Sequence, residues 1–84
     1  MEEELDIKKK ILKQDLINIT LDKNFLKVQK NECWEKYLER IMNIKKPSGL
    51  YDSFLYVFVL TDIFDLSTED KQKALTIMGF NKRS

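Results

Sequence analysis

Apolar residues recur at helical spacing along most of this chain. Leu5, Ile11, Leu12, Leu16 and Ile19 keep that spacing, with Ile7 at its margin, and predict a first helix over 2–19. Glu2, Glu3, Glu4 and Asp6 fall in its opening turns, where the helix dipole favours negative charge. Glu4 with Lys8 and Asp6 with Lys10 add i,i+4 pairs in the favoured orientation. Cys33, Trp34, Tyr37, Leu38, Ile41 and Met42 form a second stripe and predict a helix over 31–44. Cys33 reads there as a small buried apolar residue. Lys45-Lys46 suit the end of this helix, Pro47 stops it, and Ser48-Gly49 make the loop.

Residues 50–65 hold the most apolar stretch. Tyr51, Phe54, Tyr56, Phe58 and Phe64 lie within it, and Phe54 to Leu60 contains no charge. Val57 and Val59 favour a strand locally. Leu50, Tyr51, Phe54, Leu55 and Phe58 keep helical spacing, and the apolar zone is too long for one ordinary strand, so a helix is predicted. A last helix is predicted over 68–78. Ser67 or Thr68 caps it, and Asp70 stands near the position of a capping-box acid. Ala74, Leu75 and Met78 form its inner face, and Gly79-Phe80 form a Schellman-type stop. Asn81 to Ser84 reads as a frayed tail.

Residues 17–28 also support two readings. Ile17-Asn18-Ile19-Thr20-Leu21 alternates like a half-buried strand, Asp22-Lys23-Asn24 suits a turn, and Phe25-Leu26-Lys27-Val28 suits a returning strand. The favoured alternative ends the first helix near Asn18 and starts another near Asp22, capped by Thr20 or Asp22. The expected fold is therefore all-α, one domain over 1–84, a small bundle of about four short helices. The alternative is α+β with a hairpin at 17–28.

Composition narrows the function classes. Two glycines and one proline favour helices over strand-and-turn folds. Fifteen basic and fourteen acidic residues leave a net charge of +1, too balanced for a dedicated nucleic-acid coat. A single cysteine makes no internal disulfide, and the default is a reducing compartment. The opening Met-Glu-Glu-Glu lacks a signal peptide's apolar region, and no apolar run reaches membrane-spanning length, so a cytoplasmic protein is expected.

Histidine is absent, which removes the commonest general base and metal ligand. Cys33 has no second cysteine to make a zinc pair. Asp62, Asp65, Glu69 and Asp70 lack the glycine spacing of a calcium loop and read as one helix end and the next helix start. Gly49 and Gly79 lie in no phosphate-cradling pattern. No enzyme activity, metal or cofactor is expected.

Three binding readings remain. Trp34, Tyr37, Tyr51 and Tyr56 combine large apolar area with a polar tip, the residue types that anchor protein partners. Not all fit inside so small a core. The leading expectation is thus a small protein-binding module that inhibits or bridges a larger protein. The Lys-, Asn- and Ile-rich composition suggests an AT-rich genome, and with it a phage or mobile-element inhibitor of a host or defence protein. The second reading is a nucleic-acid-binding regulator using Lys8, Lys9, Lys10 and Lys13, of which Lys9 and Lys13 share a helix face. The third is a homodimeric scaffold in which the aromatic helix pairs with its own copy.

Overall fold

The computed structural model describes residues 2–80 and is all-α over them. Four helices follow in order: α1 (Glu2–Thr20), α2 (Trp34–Ile44), α3 (Leu50–Phe64) and α4 (Thr68–Ile77). They belong to two compact units, Met1–Lys45 and Lys46–Ser84. The expected tail at Asn81–Ser84 lies outside the described residues.

In the first unit α1 packs on α2. Leu12 and Leu16 are buried on α1; Trp34, Tyr37, Leu38 and Ile41 are buried on α2. Positions 34, 37, 38 and 41 occupy one face at i, i+3, i+4 and i+7, which is why the stripe in the sequence becomes the inner face. Lys45 Nζ donates to Asp15 Oδ2 at 3.0 Å, linking the end of α2 to α1. Both side chains are about two-fifths exposed, so water screens this pair and it contributes little.

Residues 21–33 form neither the hairpin nor the additional helix expected near Asp22; they run as successive turns. Phe25 N–H donates to the Asp22 carbonyl at 3.1 Å, and Lys27 N–H to the Asn24 carbonyl at 3.0 Å. Asp22 Oδ1 accepts from Asn24 N–H at 2.9 Å, a local bond that competes with helix formation. Arg40 on α2 then holds the segment from inside. Its Nη1 donates to the Phe25 carbonyl, its Nη2 to the Lys27 carbonyl at 3.0 Å, and its Nε to Glu32 Oε2 at 2.7 Å. The guanidinium lies 4.8 Å from the Phe25 ring centroid and 5.0 Å from that of Tyr37. Tyr37 Oη donates to the Leu26 carbonyl between those two anchor points. The sequence pattern records apolar spacing, and Arg40 contributes none; hence the hairpin and helix readings both miss the element that organises this loop.

Cys33 departs from the reading of a buried helical residue. It is exposed and occupies the N-cap of α2, where its side chain makes no capping hydrogen bond. Serine at this position supplies the missing acceptor for the orphan N–H groups of the first turn. Cys33→Ser is expected to stabilise the fold by about 0.5–1 kcal/mol. A chemical-denaturation midpoint no higher than wild type would show that the thiol costs nothing there.

In the second unit α3 packs on α4. Gly49 caps α3 at φ +98, a conformation L side chains rarely adopt. Ser48 N–H and Oγ–H both donate to Asp52 Oδ2, at 3.1 and 2.7 Å. Ser67 caps α4 as expected, its Oγ accepting from Asp70 N–H at 3.1 Å. The expected Schellman stop is present: Phe80 N–H donates to the Leu75 carbonyl at 2.8 Å and Gly79 N–H to the Thr76 carbonyl at 2.9 Å. Ser53, Leu55, Tyr56, Val57, Val59 and Leu60 are buried along α3, and Ser53 Oγ is satisfied by the Gly49 carbonyl at 3.0 Å.

Candidate protein-docking surface

A helix of fifteen residues with this apolar content leaves one side uncovered. At 100° per residue, the exposed Leu50, Tyr51, Phe54 and Phe58 fall on one arc of α3, opposite the buried positions. Tyr51 is 61% exposed, Phe54 42% and Phe58 41%. Three aromatic rings at i, i+3 and i+7 thus form a continuous outward stripe. Single exposed apolar residues are ordinary on proteins, whereas a contiguous row of large ones is a candidate interaction surface.

Beside this row, α3 and α4 enclose a groove of about 640 Å³. Leu50 and Phe54 line one wall, and Leu75 and Phe80 line the other. Lys71, Lys73 and Glu69 also belong to its lining. The Schellman turn places Phe80 beside Leu75, so the helix stop also builds one wall. Its lining is mainly apolar, with two lysines and one glutamate as the charged members.

The sequence-selected residues are dispersed. Of the four aromatic anchors, only Tyr51 is exposed; Trp34, Tyr37 and Tyr56 are buried. Burial raises the Tyr37 hydroxyl from its ordinary 10.0 to about 12. Those three side chains stabilise the fold and present no face to a partner in this conformation. Phe54 and Phe58 belong to the outward stripe, and lacking a polar tip they do not share the amphipathic character of Trp34, Tyr37, Tyr51 and Tyr56. A helical wheel of 50–65 already sets them with Tyr51, which is the signal that could have found them.

The lysines of α1 do not converge. Lys8, Lys9 and Lys10 are consecutive and therefore point about 100° apart around the helix. Lys9 Nζ lies 3.7 Å from Asp6 Oδ1, and its side chain is only 14% exposed. Lys13 is half-buried and Lys10 exposed. Among the described residues, no group of three or more His, Cys, Asp or Glu side chains could hold a metal ion. No described helix is long and apolar enough to cross a membrane.

Comparison with known proteins finds no matching family model, curated protein or solved structure.

Proposed function

We propose that this chain is a non-catalytic protein-binding module that docks an amphipathic helix of a larger protein on its second unit. The outward row Tyr51, Phe54 and Phe58, continuous with the α3–α4 groove, is the observation that carries the reading. A groove of this chemistry takes the apolar face of a helix through anchors at i, i+3/i+4 and i+7. The excess of lysine over glutamate in the groove lining favours a helix with acidic flanks. By occupying that helix the protein inhibits or bridges its partner, as a small phage or mobile-element inhibitor of a host or defence protein would.

The test is site-specific photo-crosslinking from position 58 in the intact chain, followed by mapping of the captured peptide. An acidic amphipathic helix is expected, and Phe54→Ala is expected to weaken the isolated complex by about 2 kcal/mol. A captured segment that is basic or non-helical, or an affinity unchanged in a folded Phe54→Ala protein, removes the proposal.

A further inference from the structure

On α1 a second surface, built from residues other than those of the docking groove, points to a different partner. We infer that α1 pairs in parallel with α1 of a second copy of this chain. Leu12 and Leu16 face inward, and the opposite side of the helix carries Ile7, Ile11, Gln14, Asn18 and Leu21. All five are exposed: Ile7 57%, Ile11 55% and Leu21 89%, with Gln14 and Asn18 in the same class. Their spacing alternates four and three residues, the a/d repeat of a coiled-coil seam, with Ile11 and Asn18 at a and Ile7, Gln14 and Leu21 at d.

Three observations select a second copy over an unrelated helix. First, the seam contains two adjacent amide layers, and Gln14 Nε2 donates to Asn18 Oδ1 at 2.9 Å. That bond uses one donor and one acceptor, and an ordinary apolar helix would bury the remaining amide N–H and carbonyl groups unsatisfied. A parallel copy sets amide against amide by symmetry and isoleucine against isoleucine. Second, the flanking charges match in that register. Each g position faces e of the partner five residues on, which sets Glu3 against Lys8 of the other copy and Lys10 against Asp15, a carboxylate that also accepts from Lys45 of its own chain. Third, the surface has a receiving hollow. Gln14, Ile17, Asn18 and Leu21, with Lys23, line a shallow depression. Those four residues, at i, i+3, i+4 and i+7, have the spacing of the four-residue hole that receives one knob of a facing helix.

Leu21 adds an energetic argument. It stands at φ +57, just past the helix end, with its N–H bonded to the Ile17 carbonyl at 2.7 Å. That left-handed position favours glycine or asparagine. A leucine there strains the backbone and, in the single chain, gains almost no burial in return. Packing against a second copy supplies the missing burial.

Sedimentation equilibrium across a concentration series tests the inference on the full chain. Wild type is expected to associate reversibly to a dimer. Ile11→Asp, on an exposed side, is expected to keep the helical circular-dichroism signal and weaken dimerisation by at least about tenfold. Leu21→Gly separates interface from fold: it is expected to raise the melting temperature of the dilute monomer and yet weaken the dimer. Orientation is read by oxidation in a Cys33→Ser background, where Ile7→Cys, near one end of the seam, meets its own copy only in the parallel arrangement and should give a disulfide-linked dimer. A wild-type monomer at every concentration overturns the inference, as does a dimer indifferent to Ile11→Asp. Failure of Ile7→Cys to cross-link an intact dimer overturns the parallel register. A dimer lost on Phe54→Asp and kept on Ile11→Asp moves self-association to α3 and also counts against the docking proposal, so the two failures are distinguishable.

Discussion

Tyr37→Ala is expected to destabilise the protein by about 4 kcal/mol, the range for deleting a buried aromatic ring. Tyr37 is fully buried, and its hydroxyl donates to the Leu26 carbonyl. The substitution removes core volume and the tether of the 21–33 loop together. Domains of this size carry only a few kcal/mol in total, so the variant should be largely unfolded in dilute buffer. Tyr37→Phe keeps the ring and loses the hydroxyl, and should cost about 1 kcal/mol. Its pH behaviour is a sharper readout. The hydroxyl rises from 10.0 to about 12 on folding because burial disfavours the phenolate. The neutral form therefore contributes stability that is fully present below about pH 10 and drains as pH rises toward 12. Urea melts followed by circular dichroism should show an alkaline loss of stability in wild type that shrinks in Tyr37→Phe. An identical alkaline profile in both proteins would place the sensitivity elsewhere.

Arg40→Ala is expected to cost about 2–3 kcal/mol, because it strands a paired carboxylate and the part-buried Phe25 carbonyl and releases the exposed Lys27 carbonyl to water. Glu32 is the carboxylate; its side chain is 6% exposed and accepts from Arg40 Nε at 2.7 Å and from Nη2 at 3.0 Å. Arg40→Lys keeps the charge but not the planar fork, and should recover only a small part of the loss. The hydrogen bonds from Arg40 hold the Glu32 carboxyl below its ordinary 4.5. This contribution is complete above about pH 4.5 and is lost as the pH falls through the lowered folded value. Acid titration of unfolding free energy should therefore be shallower in Arg40→Ala than in wild type. A parallel slope in the two proteins would show that Glu32 gains nothing from its partner.

The helices were legible because each carries its own period and punctuation. Ser67, Gly79 and Pro47 marked boundaries through local chemistry that needs no tertiary partner. The 21–33 segment was not legible, because its order comes from Arg40 and Tyr37, up to fifteen residues away in the chain. Alternation at 17–21 imitated a strand because Ile17 and Ile19 flank Asn18, whose amide belongs to the outer side of α1. The aromatic anchors were misallotted for a related reason. A polar tip marks Trp34, Tyr37 and Tyr56 as amphipathic, but a tip can be satisfied inside the fold, as Tyr37 shows. The sidedness of α3 decides exposure, and it selects Phe54 and Phe58 beside Tyr51.

Two side chains one turn apart on α2 spend their hydrogen bonds on three successive carbonyls, those of Phe25, Leu26 and Lys27. Every amino acid supplies a carbonyl, so the grip on Leu26 and Lys27 does not depend on which side chains those positions carry. Those positions of the loop are free to change during evolution while its path stays fixed, provided Tyr37 and Arg40 do not. An unstructured-looking stretch can in this way tolerate rapid drift, with its shape encoded in the neighbouring helix.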